Sequence, residues 1–143
     1  MTNGTKVTKR DGKNEPLDLN KLHVMVEQAC DDLAGVSASQ VEMQSGIQFY
    51  DGITTAEIQE ILIRSASDLI DLDHPNYQFV AARLLLFALR KQLYGRMHEV
   101  PTVKEHIVRC VGRGAYDAEI LNLYNDEEFD KLQSFIDHNR DYL

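Results

Sequence analysis

The chain has 143 residues, 43% of them hydrophobic and 27% charged, with a formal net charge of −8. That is enough apolar material for one core, or for one domain with an extension. The balance is too acidic for a general nucleic-acid binder, which needs a basic face to release counterions.

No apolar run is long enough to span a bilayer, and no signal-peptide pattern opens the chain. The two cysteines, Cys30 and Cys110, make no disulfide framework, so a reducing cytoplasm is the expected setting. The charge is uneven. Residues 1–24 carry five cations against three carboxylates, a net +2, which leaves −10 for the rest. A small basic patch on an acidic body suits a compact anion better than a polymer.

The stretch Val7 to Leu22 reads as a strand, a turn, a second extended piece and the start of a helix. Asp11-Gly12 marks the turn, because Gly tolerates positive φ and Asp bonds its own backbone. The turn gathers Lys9, Arg10 and Lys21 with Glu15 and Asp18 near a helix N-terminus, where backbone N–H groups and the dipole favour an anion. A solvated hairpin with ordinary surface charges is the simpler account of this stretch taken alone.

The first helix is expected over Leu19–Leu33, with Asp18 as N-cap and Ala34-Gly35 as its stop. Leu22, Val26, Ala29 and Leu33 form its apolar stripe. Ser37–Gln40 has the form of a capping box and opens a short helix over Val41 and Ile47. The aromatic and β-branched content of Ile47–Tyr50 favours a short strand that joins the hairpin in a small sheet. Thr54–Glu57 is a second capping box, opening a helix with Ile58, Leu62, Ala66 and Leu69 on one face. Asp73 and Pro75 start a fourth helix that runs to about Tyr94 and stops at Gly95.

Past Gly95, Arg96–Pro101 reads as a linker. Three amphipathic helices follow, with stripes at Val103, Ile107 and Val111, at Ile120, Leu121 and Leu123, and at Phe129, Leu132 and Ile136. Asp117 is the expected cap of the second, and Asn125 or Asp126 of the third.

Lys91 falls on the stripe of Leu84, Phe87 and Tyr94, so it either snorkels to the rim or points at a buried anion. Thr55, Ile58, Gln59 and Leu62 share a face, which is either a helix end leaving the core or the wall of a pocket. No Gly-rich phosphate loop ending in Gly-Lys-Ser/Thr is present. No Ser, Cys or carboxylate has a recognisable base beside it, so no catalytic residue is expected. His106 and Cys110 have metal-ligand spacing on a helix but no evident third ligand, so no metal site is expected.

Four ordered blocks, Val7–Gly12, Asp18–Leu22, Tyr50–Ile58 and Pro75–Arg83, resemble the ATP-cone, the nucleotide-binding module at the N-terminus of ribonucleotide reductase large subunits. Leu89–Gly95 and Phe135–Asp141 are similar to the bacterial class Ia large subunit. The resemblance implies a mainly α fold, a four-helix bundle capped by a three-stranded sheet over 1–95, with 96–143 as linking helices before a catalytic barrel. It implies an allosteric effector, ATP as activator or dATP as inhibitor, with Mg2+.

Lys9, Lys21 and Lys91 would hold phosphates, with Arg10 nearby. Glu15 and Asp18 would lie near the base, and Thr55 would contact the nucleotide. Val7, Leu22, Phe49 and Ile58 would line the pocket. Gln59 stands at a deoxyribose-sensing position where close relatives carry His. Asp18 and Ala88 stand where Asn and His are familiar. Expected partners are the radical-generating small (β) subunit and further large subunits, with no nucleic acid and no membrane. Two other readings are a free-standing ATP-cone regulator and a helical interaction domain with a vestigial pocket. The zinc ribbon of ATP-cone repressors is absent from the sequence.

Overall fold

The computed structural model describes residues 4–46 and 48–142. It is mainly helical with one three-stranded sheet, and it divides into two compact units, Met1–Leu89 and Arg90–Leu143.

In the first unit, β1 (Lys6–Thr8) and β2 (Asn14–Pro16) form the hairpin, pairing antiparallel with Val7 opposite Glu15. Lys9 N–H donates to Lys13 O at 2.8 Å and closes a loop of Arg10, Asp11 and Gly12. Gly12 has φ +82°, the left-handed conformation that ends this loop type. The third strand is β3 (Ile53–Thr54), parallel to β1 with Val7 opposite Ile53, so the order is β2-β1-β3.

This corrects the expected strand at Ile47–Tyr50. Ile47 lies outside the described residues, and Gln48–Tyr50 is a turn and irregular chain. The pairing begins only after Asp51-Gly52. Asp51 Oδ1 accepts from Lys6 N–H at 2.8 Å, and Gly52, at φ +84°, donates to Lys6 O. Local β-propensity lost to the turn that delivers Ile53 into the core, where it is fully buried.

Four helices follow in sequence: α1 (Leu19–Cys30), α2 (Ala38–Gly46), α3 (Thr55–Asp68) and α4 (Tyr77–Tyr94). α1 packs on α2, and α2 on α3. Val26, Ala29, Val41, Leu62, Ala66 and Val80 are fully buried. α1 stops at Cys30 rather than Leu33. Asp31 and Asp32 are poor companions for the negative end of a helix dipole, and Asp32 adopts φ +56°.

The carbonyls freed there are met by Arg83, whose Nη1 donates to Asp31 O at 2.6 Å and Ala29 O at 3.3 Å. Tyr77 ties α4 to the start of α2: its hydroxyl donates to Gln40 Oε1 at 2.6 Å and accepts from Ser37 N–H at 3.0 Å. α4 starts later than Asp73-Pro75 because Asp71 Oδ1 already accepts from the N–H groups of Asp73 and His74, at 2.9 and 2.6 Å. The capping box at Thr54 and Glu57 forms as read.

In the second unit, α5 (Val103–Gly112) and α7 (Asp126–Ser134) pack together, burying Ile107 and Phe129. α7 is capped by Asn125 in a full capping box with Glu128. The short α6 (Ile120–Leu123) is not capped by Asp117, which lies two residues ahead of the cap position and whose Oδ1 accepts from Glu119 N–H at 2.9 Å. A 3-10 turn over His138–Tyr142 holds Arg90, which is only 4% exposed. The Arg90 guanidinium donates to Asp141 Oδ2 at 2.7 Å and to the Tyr142 hydroxyl at 2.9 Å.

Among the described residues, the Ser65 hydroxyl is a buried side-chain polar atom left unsatisfied. A buried hydroxyl without a partner costs stability. Ser65→Ala is therefore expected to leave the melting temperature unchanged or to raise stability by up to about 1 kcal/mol. Thermal unfolding checks this, and a clear loss of stability would contradict it.

Candidate functional site

The hairpin and the start of α1 bring three cation–carboxylate pairs together. Lys9 Nζ lies 2.8 Å from Glu15 Oε1, Lys13 Nζ 3.2 Å from Asp11 Oδ2, and Lys21 Nζ 3.8 Å from Asp18 Oδ2. The hydrogen bond that Lys9 donates to Glu15, and then the Glu15 charge, hold the ammonium above the ordinary lysine value. The backbone N–H of Lys13 holds the Asp11 carboxyl below the usual carboxylate range. Arg10 is exposed at the loop tip.

The N-terminus of α1 is not an open anion seat. Asp18 caps it, accepting from the N–H groups of Asn20 and Lys21 at 3.1 and 3.2 Å. Those donors are spent on an internal carboxylate. An anion arriving here would meet ammonium and guanidinium groups rather than helix N–H groups.

The remaining expected site residues fall into three groups. Val7, Ile58 and Gln59 are buried, at 4%, 5% and 7% exposure, and Thr55 opens α3 half-buried. Glu57, two residues on, accepts from Thr54 N–H and Oγ1 and from the Tyr50 hydroxyl, and these bonds lower its carboxyl pKa. Leu22 and Phe49 line a cleft of about 750 Å³ with Leu17 and Met43. Lys91 lies in the last turn of α4, half-buried, and belongs to the second unit.

The cleft is the part that sequence reasoning missed. Its far wall is α2, with Ser39, Glu42 and Met43, and His23 of α1 faces it. Its volume falls in the range of small-molecule sites, about 300–1,000 Å³. No spacing along the chain signals it, because His23 meets Glu42 only once α1 and α2 lie side by side. Thr5 and Leu17 line the cleft from the open end of the hairpin, whereas Lys9 stands at its turn end. The cleft and the Lys9–Glu15 pair are therefore distinct parts of one hairpin-and-helix surface.

In the second unit, His106 Nε2 and Cys110 Sγ are 3.5 Å apart on α5, with the rings of Tyr94 and Tyr116 edge-on to the imidazole. Among the described residues no three His, Cys, Asp or Glu side chains converge on a point where a metal would sit. No described helix is long and apolar enough to cross a membrane.

A buried core, a small sheet and an apolar cleft beside a basic hairpin define a ligand-binding α+β module. Residues 5–92 match the ATP cone domain, and the chain belongs to that family. It is 48% identical over 141 residues to ribonucleoside-diphosphate reductase 1 subunit alpha of Escherichia coli and equally so to that of Salmonella typhimurium. It is 45% identical over 141 residues to the subunit alpha of Haemophilus influenzae. Each match covers 99% of this chain and 18% of the relative, so the chain spans under a fifth of those proteins' length.

The two thiols differ in setting. Burial pushes the Cys30 thiol up to about 11, leaving almost no thiolate at pH 8. Iodoacetamide at pH 8 is expected to label Cys110 well before Cys30. Peptide mapping by mass spectrometry checks the order, and faster labelling of Cys30 would contradict its burial.

Proposed function

We propose that this chain is the allosteric adenine-nucleotide-binding region of a class Ia ribonucleoside-diphosphate reductase large subunit, with ATP as activator and dATP as inhibitor. Membership of the ATP cone domain family carries the reading, because the matched residues contain the whole hairpin, all of the cleft's lining but Gly4, and the face of Thr55 and Gln59. On this reading residues 1–95 are the cone, with α1–α4 as a four-helix bundle under the sheet. Residues 96–143 lead toward a catalytic barrel. The chain is cytoplasmic, performs no chemistry itself, and serves the supply of deoxyribonucleotides for DNA replication through its effect on the whole enzyme.

Lys9, Arg10 and Lys21 hold the Mg2+-bound triphosphate. Lys9 must then exchange Glu15 for phosphate. That exchange is inexpensive, because the pair is solvent-exposed and water screens it. Glu15 and Asp18 accept from the base, Thr55 contacts the nucleotide, and Val7, Leu22, Phe49 and Ile58 provide the apolar slot. Gln59, buried beside Ile58, reads the sugar. The two nucleotides bias two states that differ in association with the small subunit and with further large subunits.

Calorimetric titration of the chain with ATP and dATP tests the reading. Binding of both is expected, weakening with salt. Lys9→Ala should weaken both by about tenfold, the loss of one charge-assisted contact. Gln59→His should change the ratio of ATP to dATP affinity more than either affinity's salt dependence. Absence of any binding would remove the nucleotide assignment. Unchanged affinity in Lys9→Ala would remove Lys9 from the site.

A further inference from the structure

His23 stands on α1 with a carboxylate at each ring nitrogen. Nδ1 lies 2.8 Å from Glu42 Oε1 on α2, and Nε2 lies 3.2 Å from Glu27 Oε1 one turn along α1. A carboxylate only accepts hydrogen bonds, and a neutral imidazole has one N–H and one lone pair. Either neutral tautomer therefore turns a lone pair toward one of the two carboxylates. Only the imidazolium satisfies both contacts. His23 and Glu42 also line the α1–α2 cleft.

We propose that His23 is a proton switch for the α1–α2 cleft, an imidazolium clamped between Glu27 and Glu42 that becomes a one-sided bridge when its proton leaves. Counting these three side chains alone, the wall goes from one net negative charge to two. The neutral ring can donate to only one of the two carboxylates, Glu27 on its own helix or Glu42 across on α2. Glu27 of α1 and Glu42 of α2 are the ionisable groups that act on the ring. The Cys30 thiol lies in the field of the same two carboxylates, and Arg83 of α4 bears on that thiol.

The direction of the pH effect follows from the same contacts. The hydrogen bond and charge of Glu42, then those of Glu27, raise the His23 pKa above 6.5, against a smaller opposing effect of desolvation. The clamp therefore contributes its full stabilisation below pH 6.5 and loses it as pH rises through the folded-state value. The device does not depend on nucleotide binding, so it stands or falls separately from the assignment above.

Carbon-detected NMR titration of the His23 ring in the 143-residue chain tests it. The ring should titrate above 6.5. The amides of Ser39, Met43 and Phe49 around the cleft should shift with the same midpoint. Glu42→Gln should lower that midpoint more than Glu27→Gln does. His23→Gln should remove the corresponding step from the stability-versus-pH curve. A ring midpoint at or below 6.5, or cleft amides that do not follow the ring, would overturn the proposal. The wild-type titration alone decides it should a variant fail to fold.

Discussion

The pairing of β1 on both of its edges holds the first unit's parts in register. Lys6–Thr8 is only three residues long, yet it binds β2 on one side and β3 on the other. The antiparallel edge fixes the basic hairpin. The parallel edge fixes the start of α3, because Thr54 is both the end of β3 and the N-cap of that helix. Val7 and Ile53, neighbours across the parallel pair, are buried beneath the sheet. A two-stranded hairpin is at best marginally stable in water. Here the third strand and the helices under it supply what the hairpin lacks.

Charge is handled locally over this surface. Each hairpin lysine that a phosphate would seek is already matched to a carboxylate, and the α1 cap is filled by Asp18. These contacts are solvent-exposed and weak. They keep the basic patch ordered on an acidic chain without committing it irreversibly. The buried members, Val7, Ile58 and Gln59, stay fixed by packing, so a ligand would rearrange charged side chains over a rigid apolar floor.

Much of this was legible from local chemistry. The Asp11-Gly12 turn, the Asp18 cap, the Thr54–Glu57 box and the Asn125 cap are short-range devices in which the deciding residues sit within four positions of each other. Two local misreadings, the start of α4 and the Asp117 cap, come from aspartates that bond the backbone two or three residues on. The larger ones have a long-range cause. The strand placed at Ile47–Tyr50 follows local propensity, while the real one at Ile53 is selected by Lys6, some 45 residues earlier. The overlong α1 ignores Arg83, which meets its last carbonyls from α4. The cleft needed α1 and α2 side by side, and no spacing along the chain reveals that His23 meets Glu42. Charge and turn chemistry placed Lys9, Glu15, Asp18 and Lys21 on one surface, and the structure pairs Lys9 with Glu15 and Lys21 with Asp18. Thr55 and Gln59 were left open between core and pocket, and Gln59 is in fact buried.

Arg90 carries a lesson about boundaries. The family match ends at residue 92, just past this arginine, whereas its partners Asp141 and Tyr142 lie about fifty residues further on. A definition of the domain that stops at the family limit keeps the cation and discards what neutralises it. The guanidinium, now sheltered, would return to water. The unit of sequence relatedness and the unit of electrostatic closure are therefore different lengths of the same chain. A truncation designed on the first would cut through the second.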